Sequence, residues 1–132
     1  MDTLTRRTLR ADALFDTAFG ILLLLAPFVG GLYDLLGLPN PQPAIYTQFA
    51  GGLLLVCAWL LWRAPSSPLL AFPVALSVGL VNLAGALLIA LWLISGALGA
   101  DNLGVILLVI AACILVFFGV VELRYVRAWA DR

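Results

Sequence analysis

The chain has 132 residues, of which 64% are apolar and 11% charged; seven basic residues balance seven acidic ones and there is no histidine. Soluble domains carry about 25% charged and roughly 45–50% apolar residues, so this composition cannot cover a water-soluble surface. Zero net charge leaves no basic face for nucleic acid, and the lack of histidine removes the commonest general base and the commonest metal or haem ligand.

A helix needs about 20 mostly apolar residues to cross roughly 30 Å of hydrocarbon. Four stretches reach that length, 11–31, 44–62, 70–96 and 103–123, each bounded by charge, proline or glycine. They lie within one domain, 1–132, and the short links between them predict an all-α, four-transmembrane-helix antiparallel bundle. Strands are excluded by apolar runs too long and too continuous for the alternation of a barrel.

Before the first stretch stand Arg6, Arg7 and Arg10. Thr5-Arg6-Arg7-Thr8-Leu9-Arg10 has the look of a twin-arginine export signal. The apolar run that follows is of spanning length, however, and Pro27-Phe28-Val29-Gly30-Gly31 offers no small-residue cleavage site, so an uncleaved first helix is expected. Inside that helix, Asp12 and Asp16 share a face. Asp16 is placed about one turn from the arginine end, with Arg10, Arg63 or Arg124 available as ion-pair partners.

The segment 32–39 is apolar but too short to span, and belongs at the interface. Pro39, Pro41 and Pro43 then stop any helix before the second span. Gln48 opens that span, and Gly51 and Gly52 follow within a turn. Small residues there let a neighbouring helix approach, and an outer pocket lined by Gln48 and Tyr46 is the alternative. In the third span Ala75, Gly79, Asn82, Ala86 and Ala90 recur on one face. Asn82, at the middle, either hydrogen-bonds across a helix contact or meets a ligand or ion in a central cavity. In the fourth, Glu122 lies at a depth comparable with Asp16. Ligand- or ion-binding candidates are therefore Asp16, Asn82, Glu122 and Gln48; helix-packing candidates are Gly51, Gly52, Gly79 and Ala86. Cys57 and Cys113 sit far apart in apolar runs and read as small hydrophobes.

Every basic residue is an arginine, at 6, 7, 10, 63, 124, 127 and 132, and all fall on one side if four spans alternate. The positive-inside rule then puts both termini in the cytoplasm. Trp59, Trp62, Phe72, Tyr125 and Trp129 gather at that side, and Phe28, Tyr33, Tyr46 and Trp92 at the other, as interfacial rings do.

No P-loop, GxGxxG, HExxH or serine–histidine pair is present, and neither a metal nor a cofactor is expected. Enzymatic work on a lipid would have only carboxylates for acid or base. The leading expectation is a non-enzymatic subunit or helper, set in the lipid bilayer and packing on a membrane-protein partner or in a homo-oligomer. The competing one is a membrane protein that handles a small ligand, a lipid, a proton or a cation through its intrabundle polar groups.

Leu14-Phe15-Asp16-Thr17-Ala18-Phe19-Gly20, Leu36-Gly37-Leu38-Pro39, Gln48-Phe49-Ala50-Gly51-Gly52-Leu53-Leu54-Leu55 and the mid-helix Asn82 together resemble the small bacterial four-helix membrane proteins of the DoxX-like kind. The resemblance spans nearly the whole chain. It implies a multi-pass protein of the bacterial inner membrane, and members near the family's name were linked to oxidoreductase complexes as membrane subunits.

Overall fold

In a computed structural model, residues 3–96 and 99–131 are described. Helix α1 spans Thr3–Leu25 and passes into a 3-10 turn, Ala26–Phe28. A single helical turn, α2 (Leu32–Leu35), follows. Then come α3 (Ile45–Arg63), a second 3-10 turn (Ala64–Ser66), α4 (Pro68–Ser95) and α5 (Asn102–Ala130). Four of these helices are long and apolar enough to cross a membrane. Their outward faces carry Phe49, Leu53, Val56, Leu87, Ile106, Val109, Ile110 and Phe117, all exposed. Patches of that extent are untenable in water, whereas helices with every backbone group bonded internally suit hydrocarbon.

The outer limits of the bundle differ from those read from hydropathy. Helix α1 starts at Thr3 instead of Ala11, and α5 runs on to Ala130 instead of ending at 123. Arginine has good helix propensity, so Arg6, Arg7, Arg10, Arg124 and Arg127 end an apolar run without ending a helix. The start of α1 is amphipathic: Thr5, Thr8, Leu9, Asp12, Ala13, Asp16 and Gly20 are buried at helical spacing, while Arg6, Arg7 and Arg10 face outward. The earlier start also places Asp16 well inside the helix and not one turn from its end. At the other end α1 stops before position 31, because Pro27 has no N–H for Leu23 and the chain turns through Gly31 at φ 76°.

Helix α1 packs chiefly on α3, and α4 on α5. Glycines set both contacts. A Cβ on Gly20 would come within 2.9 Å of Gly51 O, and one on Gly51 within 2.7 Å of Gly20 O. In the second pair a Cβ on Gly119 would come within 2.9 Å of Gly79 O. Only hydrogen at these positions lets the backbones approach so closely.

Where the two pairs meet, Leu9, Ala13, Leu61, Ala64, Val74, Ala75 and Val78 form an apolar core closed by Cys57, Leu60, Tyr125 and Val126. Arg10 stacks over Trp62 and Arg63 over Trp59 beside this core, and Phe72 meets Trp129 at 4.7 Å between ring centroids. The other end of the bundle is roofed by the segment around α2. Its anchor is Gly37, whose carbonyl accepts from Asp101 N at 3.0 Å, just ahead of α5.

Candidate functional site

The buried stripe of α1 turns Asp12 and Asp16 into the bundle, 0% and 1% exposed. The small-residue face of α4 (Ala75, Gly79, Ala86) lets Asn82 approach them, and Gly119 does the same for Glu122 on α5. Asn82 and Glu122 are buried as fully as the aspartates. The Asn82 amide donates from Nδ2 to Asp12 Oδ2 at 2.9 Å and to Glu122 Oε2 at 3.2 Å. One side-chain amide thereby ties α4 to a carboxyl group from each helix pair. Asp16 lies one turn further along the same buried face of α1.

The second oxygens tell more. Asp12 Oδ1, Asp16 Oδ1 and Glu122 Oε1 are buried without a hydrogen-bond partner. Among the described residues, none of the arginines expected as ion-pair partners reaches these carboxyls. Arg10 and Arg63 lie over tryptophan rings instead. The reason is rotational: on α1 the arginines occupy the face opposite the aspartates. A carboxylate buried without a cation costs several kcal/mol, roughly, and the two Asn82 N–H groups give Asp12 and Glu122 one donor each, so acids in this setting either hold a proton or meet a counter-charge. Among the described residues no group of three histidine, cysteine or acidic side chains is arranged to hold a metal ion.

Beyond Asp16 the two helix pairs separate around an apolar cavity of about 370 Å³. Asp16, Phe15 and Phe19 of α1, Leu54 of α3, Ile89 of α4 and Leu108, Ala111 and Leu115 of α5 form its walls. Leu32, Tyr33, Leu36 and Leu38 close its far end. The Tyr33 hydroxyl is buried without a hydrogen-bond partner.

Of the residues expected from sequence, Asp16, Asn82 and Glu122 come together, and Gly79 and Ala86 lie on the α4 face that brings Asn82 in. Gly51 packs on Gly20. Gln48 is half-buried on α3, and lines neither the cavity nor the Asn82 centre. Gly52 has no neighbour within 4 Å of a Cβ built on it, so it makes no helix contact inside the chain. Sequence reasoning passed over Asp12 as a partner of Asn82, and Tyr33 as a cavity residue. The i, i+4 repeat of Asp12 and Asp16 among Leu9, Ala13 and Gly20 was the available signal for the first. Cys57 and Cys113 are free thiols. No protein-family model, curated protein or solved structure matches the chain.

Proposed function

We propose that this is a small multi-pass membrane protein whose buried Asp12–Asn82–Glu122 centre takes up and passes a proton. The observation that carries the reading is the double donation by Asn82 to two carboxyl groups whose remaining oxygens have no partner. A proton is the smallest counter-charge able to enter so closed a place, and carboxyl groups that share a site are well suited to exchanging one. Asn82, as a neutral donor, holds both acids in register whichever of them carries it.

The bundle is antiparallel, up-down-up-down, with both termini in the cytoplasm of a bacterial inner membrane. The arginine distribution supports this orientation. The antiparallel order of α1 and α3 is supported by the neighbours Arg10 with Trp62 and Gly20 with Gly51, which run oppositely along the two helices. Membership of the DoxX-like proteins belongs to the same proposal, resting on the four apolar helices and on Asn82 in the third of them.

Proton passage is tested in proteoliposomes loaded with a pH-sensitive dye. The wild-type protein should collapse an imposed pH gradient several times faster than Asp12→Asn or Glu122→Gln. Equal rates in all three would overturn the reading.

One observation favours a second role, as a subunit contacting a partner helix: Gly52 opens outward on α3 beside Gln48. Gly52→Leu should then break an assembly that survives gentle extraction, and an unchanged assembly would remove this role.

A further inference from the structure

We infer that the arginine-lined cavity between the start of α1 and the turn after α3 is a binding site for the phosphate of an anionic membrane lipid. The inference rests on the membrane reading of the chain and is independent of the proton centre.

The helices set the level of this cavity. One candidate span begins at Thr3 and the next ends at Ser66. Arg6 and Arg10 of the first span, with Trp62, Arg63, Pro65 and Ser66 of the second, line a half-open space of about 420 Å³. That volume falls within the roughly 300–1,000 Å³ typical of small-molecule sites. Spanning helices end where hydrocarbon gives way to headgroups, and the exposed rings of Trp59 and Trp62 mark the same level. A group held here lies at the depth of lipid phosphates.

The lining carries positive charge without its own counter-charge. Three of its six residues are arginines and none is acidic. Asp12 and Asp16, the nearest acids that follow on α1, are turned into the bundle and are 0% and 1% exposed. Two of the arginines are also held in place. The Arg10 guanidinium lies 5.8 Å over the Trp62 ring, and that of Arg63 lies 6.0 Å over Trp59. Stacking restrains the plane of a guanidinium and leaves its N–H edge for an oxyanion, and the fork of donors matches two phosphate oxygens.

A lipid suits the site better than a soluble anion because an apolar track leads away from it. Deeper along α3, Trp59, Val56 and Leu53 are exposed on neighbouring turns and offer a surface to acyl chains. A zwitterionic headgroup would bring its own cation against three arginines, so an anionic headgroup is selected.

The test follows lipid binding by native mass spectrometry, with delipidated protein in detergent titrated with phosphatidylglycerol or with phosphatidylcholine of the same chains. The first phosphatidylglycerol per chain should bind at least about tenfold tighter than phosphatidylcholine. Arg10→Gln and Arg63→Gln should each weaken it by at least about fivefold. Arg7→Gln and Arg127→Gln remove the same charge from exposed positions outside the cavity and should stay within about twofold of wild type. Circular dichroism and a single gel-filtration peak certify each fold. Should a stacked arginine prove needed for folding, Arg6→Gln, which disturbs neither ring contact, carries the same fivefold expectation. Equal affinity for the two lipids, or an equal loss in cavity and control variants, would overturn the site. Displacement of bound phosphatidylglycerol by millimolar inorganic phosphate would assign the cavity to free phosphate and overturn the lipid. Recovery of the chain in the aqueous fraction without detergent would instead overturn the membrane reading on which the inference rests.

Discussion

Asn82 on α4 donates to Asp12 on α1 across 2.9 Å, joining residues 70 apart in the chain and the two tightly packed helix pairs to one another. Its other Nδ2 bond, to Glu122, stays within the α4–α5 pair. Asn82→Ala removes both donors and leaves buried acids facing one another. Hydrogen bonds to charged groups contribute roughly 1.5–3 kcal/mol each, and partial neutralisation offsets some of the loss, so a destabilisation of about 2–4 kcal/mol is expected. Unfolding in mixed micelles, followed by circular dichroism, measures it. An unchanged midpoint would mean the acids are satisfied without Asn82.

Glu122→Gln is expected to act in the opposite sense. It removes a carboxyl with an unpartnered oxygen and supplies an amide that can accept from Asn82 and donate to Asp12. Carboxyls sharing a buried site repel one another when ionised, and a neutral amide of the same shape removes that repulsion. A gain of about 1 kcal/mol, on the order of one pKa unit of interaction, is expected in the same unfolding assay, together with loss of proton passage. A gain in stability coupled to loss of function would mark Glu122 as kept for its chemistry. A clear loss of stability would mark it as structural.

The helices themselves were legible because hydropathy over 20 or so residues is a sum, and sums tolerate an occasional Asp16 or Glu122. Their polar ends were less so. Arg6, Arg7 and Arg10 depress the local sum although the buried Thr5–Thr8–Leu9–Asp12 stripe continues the helix. Asp16, Asn82 and Glu122 stood out as polar groups in apolar runs, but the Asp12–Asn82 bond depends on how far each helix is rotated about its axis. That rotation is decided by Gly20 against Gly51 and Gly79 against Gly119, contacts between segments remote in sequence. A cavity is less legible still, since it is the volume that Phe15, Ala111 and Leu115 leave unfilled.

Two adjacent glycines on α3 offer an internal contrast. A Cβ at Gly51 meets Gly20 O at 2.7 Å and Leu24 N at 2.9 Å, both backbone atoms that cannot swing aside. One at Gly52 meets nothing within 4 Å. Gly51→Ala should therefore cost about 1–3 kcal/mol by overpacking, whereas Gly52→Ala should stay within about 0.5 kcal/mol of wild type or gain slightly from helix propensity. Unfolding midpoints of the two variants decide it. Equal effects would show that α1 and α3 approach less closely at this point.

The roof over the cavity depends on a small clasp at the start of α5. Asp101 caps that helix by accepting from Gly104 N at 2.9 Å, and its own N–H donates to Gly37 O at 3.0 Å. Gly37 has φ +65°, and a Cβ on it would overlap the Asp101 carboxylate. Asp101→Ala removes the cap at a cost of about 1 kcal/mol, while Asp101→Asn, which still accepts, should keep most of it. Gly37→Ala should be worse than either, because it combines backbone strain with a collision. The local consequence is measurable by amide hydrogen exchange. Exchange in the Leu32–Leu38 segment should quicken in Gly37→Ala and Asp101→Ala and stay near wild type in Asp101→Asn. Uniform exchange across all three would mean that Leu32, Tyr33, Leu36 and Leu38 are held over the cavity by their own packing and not by the clasp.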